Sequence, residues 1–207
     1  MGDIINFKKI NHTNVQKRGG VMEDITKKRK QEIEKTVQKI LFKEELLKDG
    51  PSLDVVRFVK KAGFKVLIED MDIDTTGLLL VNDDDKTKII VVNEKFKNPN
   101  NESDIVVKKS RFITAHEYGH YILHKKEGEP IYAHRDTYHS TEEKELEADY
   151  FARSLLMPIK TFDLFYQTAN EIGNNDENFT VEILSRAFGV TKSKVKKRIG
   201  DLALLNS

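Results

Sequence analysis

Residues 111–124 read RFITAHEYGHYILH and contain the pattern H-E-x-x-H. Residues four apart on a helix lie on one face, so His116 and His120 can present two imidazole nitrogens to a single zinc ion. Glu117 lies beside them, placed to take a proton from a water molecule that the metal activates. The pattern therefore predicts a catalytic metal site carried by a helix.

The surrounding residues favour a helix. No proline occurs between residues 108 and 129. Apolar side chains recur at helical spacing and form one stripe, at Phe112, Ala115, Gly119 and Ile122. His124 continues the four-residue series, but on a continuous helix it lies about 12 Å along the axis from His116. We therefore expect His124 to support the site or the helix end and not to bind the same ion.

A catalytic zinc needs a third protein ligand and one open position. The chain has no cysteine, so this ligand must be a histidine, an aspartate or a glutamate. Residues 140–158 read STEEKELEADYFARSLLMP and predict a second helix, which begins with a capping box and ends at Pro158. Several carboxylates lie on this helix, so its orientation decides which of them faces the histidines.

Helical phase separates the two best-placed glutamates. At about 100° per residue, Glu145 falls roughly 50° from the centre of the apolar stripe, and Glu147 falls roughly 110° from it. We expect Glu145 to face inward as the third ligand and Glu147 to face water. Asp149, one turn beyond Glu145, is expected to accept a hydrogen bond from a ligating imidazole. His134 and His139, in the loop before this helix, are the alternative third ligands.

Composition limits the function classes. The 207 residues suffice for one medium domain and a smaller part, and a net charge of +1 gives no overall attraction to nucleic acid or membranes. No apolar run approaches the length of a membrane span, and the first residues lack a signal-peptide core. With no cysteine for disulfides, we expect a cytoplasmic protein.

The remaining pattern predicts an α+β fold in three parts. Residues 1–50 are expected to form a polar leader and one amphipathic helix, from about residue 23 to 49. Residues 51–170 are expected to form the main domain, in which two β-rich runs, 77–81 and 88–93, predict a hairpin. The last part, from residue 171 to 207, is expected to be a small helical subdomain.

This last part resembles a helix-turn-helix. Thr180 is expected to cap its first helix, as Ser52 is expected to cap a short helix earlier in the chain. Gly189 is expected to form the turn, and Thr191 to start the second helix. That helix carries five basic residues, at Lys192, Lys194, Lys196, Lys197 and Arg198. We favour a solvated basic face over DNA binding, because one such unit without a set of base-reading side chains is weak evidence.

The two motif helices and the tail together resemble the ImmA/IrrE family of metallopeptidases. The resemblance runs from about Gly77 to the C-terminus. Its most specific pieces are residues 111–124 and residues 145–158, and the tail from Phe188 to Ile199 adds to them. Residues 1–50 lie outside the clear match.

The resemblance implies a zincin-like metalloprotease fold with His116 and His120 as zinc ligands and Glu117 as the catalytic base. The family's acidic ligand corresponds to Glu145. Manganese also suits a site of two histidines and one carboxylate. The resemblance further implies a cytoplasmic endopeptidase that cleaves a helix-turn-helix repressor and so relieves repression of transcription.

Two alternatives stay open at this point. A regulator that binds a repressor or DNA without cutting would carry a closed metal site, with a fourth ligand such as His134. The group that stabilises the oxyanion is also undecided among five side chains, those of Tyr118, Tyr132, Tyr138, His134 and His139.

Overall fold

The structure is a computed structural model that describes residues 25–44, 50–71, 75–84, 86–94, 104–134 and 142–206. Its helices are α1 (Lys27–Glu44), α2 (Val55–Lys61), α3 (Asp104–His124), α4 (Glu142–Leu156), α5 (Ile159–Ile172), α6 (Glu177–Phe188) and α7 (Lys192–Asn206). Its strands are β1 (Lys65–Glu69), β2 (Gly77–Asn82), β3 (Thr87–Asn93) and β4 (Ile131–His134). The predicted α+β class is confirmed.

The four strands form one mixed sheet in the order β1-β3-β2-β4. The predicted hairpin is present, with Leu79 of β2 opposite Ile90 of β3. Strand β1 runs parallel to β3. The sequence did not predict β4, which pairs antiparallel with β2 and places His134 in a strand and not in a loop. Four residues are too short for a periodic signal, so this strand depends on its pairing with β2.

Helix α3 packs between the sheet and α4. Gly119 is the point of closest approach, because a Cβ there would lie 3.0 Å from Cδ1 of Phe151 and 3.3 Å from the carbonyl oxygen of Ala148. Any side chain at this position would require Phe151 or the backbone of α4 to shift by a few tenths of an ångström. The second variable position of the H-E-x-x-H pattern therefore allows α4 to approach the histidines.

Helix α1 packs on α4 and α7. Its apolar stripe is buried through Ile33 and Val37, which are 0% and 1% exposed. Each buried aliphatic side chain of this size contributes about 1.5–3 kcal/mol relative to an exposed one. The stripe also carries Glu34, whose carboxylate bonds the fully buried Arg198 of α7 at 2.6 Å. An N-terminal helix docked by one stripe was predicted, but its charged contact was not.

Two predicted helix caps are wrong. Asp54, and not Ser52, caps α2 by accepting a hydrogen bond from the backbone N–H of Arg57 at 3.0 Å. Asp176 caps α6, while Thr180 lies one turn inside that helix and is 1% exposed. In both cases a nearby aspartate, a cap at least as strong as serine or threonine, takes the position. The predicted turn at Gly189 is present, with a φ of 60°.

One hydrophobic cluster draws residues from α1, the sheet and the tail helices. The division into residues 1–50, 51–170 and 171–207 stays a prediction. Among the helices in the described part of the chain, none combines the length and the hydropathy that a bilayer crossing requires.

Candidate metal centre

Helix α3 presents two buried imidazoles on the face that it turns toward α4. His116 and His120 are 5% and 4% exposed, and their Nε2 atoms lie 3.0 Å apart. Since the residues are four apart on one helix, both rings reach the same point. The first two members of the predicted site therefore meet.

Helix α4 brings Glu145 to the same point. Its Oε2 lies 3.2 Å from Nε2 of His116, and its Oε1 lies 3.2 Å from Nε2 of His120. One donor atom from each residue of this trio lies within 4.8 Å of the others, and within the described residues this is the group that has the spacing of a metal site. The helical-phase argument thus selected a carboxylate that faces both imidazoles.

Asp149 fixes the orientation of His116. Its Oδ1 lies 3.0 Å from Nδ1 of His116, and its Oδ2 accepts a hydrogen bond of 3.2 Å from Lys194 of α7. Burial raises the pKa of Asp149, but the hydrogen bond to His116 and the charge of Lys194 outweigh burial and hold it well below its usual value. An ionised carboxylate only accepts, so Nδ1 of a neutral His116 carries the proton and Nε2 keeps its lone pair.

A longer chain of contacts fixes His120. Its Nδ1 lies 3.1 Å from Nδ1 of His124, and Nε2 of His124 lies 3.0 Å from Oε2 of Glu147. The carboxylate of Glu147 accepts a hydrogen bond from Nε2–H of His124, so a neutral His124 has no proton on Nδ1. Nδ1 of His124 therefore accepts, and His120 must donate to it from its own Nδ1. Nε2 of His120 therefore also keeps its lone pair. His124 has the supporting position that its spacing predicted.

With both histidines in these neutral tautomers, three acceptor atoms converge without a proton between them, an arrangement that suits a cation. Burial opposes a charge on His116, but hydrogen bonds to Asp149 and Glu145 outweigh it and raise its pKa to about 9. Burial lowers the pKa of His120. Two imidazole nitrogens and one carboxylate are a donor set that zinc accepts, so these residues fit the metal that the sequence predicted.

The side chain of Glu117, on α3, lies against Gly77, the first residue of β2. This side chain is buried, and a Cβ on Gly77 would lie 2.7 Å from its Oε1 and 2.5 Å from Cγ2 of Ile113. Real side chains do not approach so closely, so only glycine fits here without displacing the carboxylate. The start of β2 therefore confines Glu117 beside the two histidines.

A cavity of about 190 Å³ borders the His116 side of this cluster. Its wall is largely apolar and includes Phe112 and Ile113 of α3, with Thr76 at the start of β2. Lys194 also lines it, with Nζ 3.6 Å from the centroid of the Phe112 ring. The cavity can hold an apolar group next to the imidazole of His116.

The prediction that Glu147 faces water is wrong. Glu147 is 6% exposed, because α1 covers this face of α4. Arg29 of α1 donates hydrogen bonds of 2.6 and 2.7 Å to the two carboxylate oxygens of Glu147. Sequence reasoning missed Arg29, which is 118 residues away and carries no local signal. Glu142 and Glu143 are exposed, as predicted.

The other predicted candidates are less well defined. The ring of Tyr118 is buried against Phe58 and Phe64, with centroids 5.2 and 5.7 Å away. The side chains of His134 and Tyr132 lie outside the described part of the structure. So do all atoms of two further candidates, Tyr138 and His139.

Comparison with known proteins gives a family assignment. No curated protein sequence matches the chain significantly. Among solved structures, a Mycobacterium tuberculosis transcriptional regulator is similar, with a TM-score of 0.49 and 17% identity. The match covers 81% of this chain and 46% of the regulator, so the chain spans about half the length of that structure. Residues 59–200 match the metallopeptidase family M78, described as the IrrE N-terminal-like domain, and the chain belongs to this family.

Proposed function

We propose that the protein is a zinc-dependent endopeptidase in which His116, His120 and Glu145 hold the metal and Glu117 is the general base. The observation that supports this most strongly is the convergence of three lone pairs beside a buried carboxylate. Membership of a metallopeptidase family supports the same reaction class. Asp149 holds the ring of His116 in the tautomer that leaves Nε2 available.

His116, His120 and Glu145 would hold the zinc ion, which would supply Lewis acidity to a water molecule and to the scissile carbonyl. The Glu117 carboxylate takes a proton from the water molecule as the oxygen of the water bonds to the carbonyl carbon. Glu117 then gives this proton to the amide nitrogen as the C–N bond breaks. The products are a carboxyl group and an amine, and Glu117 returns to its ionised form.

The substrate in this proposal is a helix-turn-helix repressor in the cytoplasm, as the family resemblance implies. Strand β4 pairs with β2 and is an edge of the described sheet, so an extended peptide can add to it as a further strand. The cavity beside His116 would take an apolar side chain of that peptide. Cleavage would remove the repressor and activate the genes that it silences.

Incubation of the zinc-loaded protein with purified helix-turn-helix repressors from the same organism tests this function. We expect fragments of defined mass, and we expect a chelator to prevent them. Mass spectrometry of the products also identifies the cleaved bond. A repressor that binds tightly and stays intact with fully zinc-loaded protein would instead support a regulator that does not cut.

The basic residues of α7 give little support to DNA binding. Lys192 and Lys196 form ion pairs with two glutamates of α6, and Lys194 bonds Asp149. Arg198 is fully buried. Contact with phosphates would require most of these side chains to leave carboxylates of their own chain, so we assign α7 a structural role.

Removal of the third ligand is expected to weaken metal binding. In Glu145→Ala, two imidazoles are left to hold the ion, and we expect zinc affinity to fall by at least the 10–100-fold that is typical even of lost supporting contacts. Metal analysis of the purified proteins and competition with a chelator measure the change. Glu143→Ala, an exposed glutamate on the same helix, is the matched control and should bind zinc normally. Unchanged affinity in Glu145→Ala would exclude Glu145 as a ligand.

A further inference from the structure

We propose that Arg29 of α1 is a positioning residue for the metal centre, acting on His120 through Glu147 and His124. The inference rests on the proposed metal site but extends it to a helix that the family match, residues 59–200, does not include. It assigns α1 a part in metal binding as well as in stability.

The first contact joins two helices. Arg29 donates from Nε to one oxygen of Glu147 at 2.6 Å and from Nη2 to the other at 2.7 Å. Two parallel bonds from a planar guanidinium fix both the position and the rotation of a carboxylate. The side chain of Glu147 is 8% exposed, so its charge depends on this partner and on His124.

The second contact passes this orientation to the imidazoles. Nε2–H of His124 donates a hydrogen bond of 3.0 Å to Oε2 of Glu147, and Nδ1 of His124 then accepts a hydrogen bond of 3.1 Å from Nδ1–H of His120. Without a fixed acceptor at Glu147, His124 can hold its proton on either nitrogen. In the wrong tautomer it donates to His120, whose proton then moves to Nε2, the atom that must bind the metal.

The rest of α1 holds Arg29 in place. Ile33 and Val37 are buried against the core, and Glu34 bonds Arg198 of α7. Arg29 is about one turn away from the buried Ile33 on the same helix, so it is held by a rigid element and not by a loop. The two imidazoles therefore have matching support, since Lys194 and Asp149 hold His116 while Arg29, Glu147 and His124 hold His120.

The test is zinc affinity, measured by competition with a chelator in the full-length protein. We expect Arg29→Met to bind zinc 10–100-fold more weakly than the wild type and Arg29→Lys to recover part of the loss. Lys28→Met removes the same charge from an exposed site on the same turn and should change affinity less than about twofold. Glu147→Gln, of unchanged size, should lose a similar factor, and the double variant Arg29→Met/Glu147→Gln should lose little more.

A ¹⁵N NMR spectrum of the histidine side chains distinguishes a positioning role of Arg29 from a general loss of stability. In the zinc-loaded wild type we expect a single His124 tautomer with the proton on Nε2, and in Arg29→Met a mixture of both tautomers. An Arg29→Met protein with wild-type affinity, or with His124 still in one tautomer, would overturn the inference. A wild-type protein that binds no divalent cation would overturn the proposed function as well, so the two failures are distinguishable.

Discussion

The Glu117→Gln variant is expected to lose peptide hydrolysis by on the order of 10²–10⁴-fold, because an amide cannot take the proton of the attacking water. Glutamine has nearly the same size as glutamate, so it fits the confined space between Ile113 and Gly77. The three proposed ligands, His116, His120 and Glu145, are unchanged. We therefore expect one zinc per chain in the variant and a loss confined to kcat.

The measurement is kcat/KM on a peptide taken from the cleaved segment of the repressor, with zinc content determined on the same samples. Glu143→Gln makes the same chemical change at an exposed position of α4 and should retain full activity. Hydrolysis that persists in a zinc-loaded Glu117→Gln protein would exclude Glu117 as the base. A loss of zinc together with activity would show that Glu117 shapes the site and does not act as a base alone.

The Arg198→Met variant is expected to lower the free energy of unfolding by about 3–5 kcal/mol, since it leaves a buried carboxylate without its counter-charge. In the wild type, Nη1 of Arg198 bonds Glu34 at 2.6 Å and Nε bonds the carbonyl oxygen of Met157 at 3.0 Å. Tyr150 and Ser154 complete the set of bonds to Glu34, at 3.0 and 2.7 Å. Urea unfolding of both proteins measures the difference.

The size of this difference should depend on pH. Burial raises the pKa of Glu34, but the charge and hydrogen bonds of Arg198 outweigh it and hold the pKa below its usual 4.5. A carboxyl group whose pKa is lower in the folded state stabilises the fold above its unfolded pKa, and the contribution is lost as pH falls through the folded value. The two proteins should therefore differ most near neutral pH and approach each other below about pH 4.

A double variant provides the control for this pair. Glu34→Leu/Arg198→Met replaces both charges by apolar groups of similar size and should recover most of the lost stability. A difference of less than about 1 kcal/mol in the free energy of unfolding between the wild type and Arg198→Met is typical of an exposed ion pair and would contradict this prediction.

Local patterns predicted much of this molecule. The H-E-x-x-H helix, the hairpin and the inward direction of Glu145 all follow from the periodicity of short segments. These elements are long enough for their apolar faces to identify the side that packs on the core. The residues that meet at the candidate site lie on two such helices, which is why their convergence was predictable.

The features that sequence missed depend on distant partners. Glu147 lies on the polar side of its own helix, and only the packing of α1 makes that side an interior surface. Strand β4 exists through its pairing with β2, and its four residues carry no pattern of their own. At α6 the sequence predicted Thr180 as the cap, but the helix begins one turn earlier and Asp176 caps it, because the start of the helix depends on where the preceding turn ends.

The contact between Glu34 and Arg198 has a practical consequence for anyone who expresses part of this protein. A fragment trimmed to the family boundaries, residues 59–200, would keep Arg198 and discard Glu34, the α1 carboxylate that it bonds. It would also uncover the surface of α4 that Ile33 and Val37 protect. Soluble, well-behaved material should therefore require a start site upstream of Ile25, although the family match begins only at residue 59.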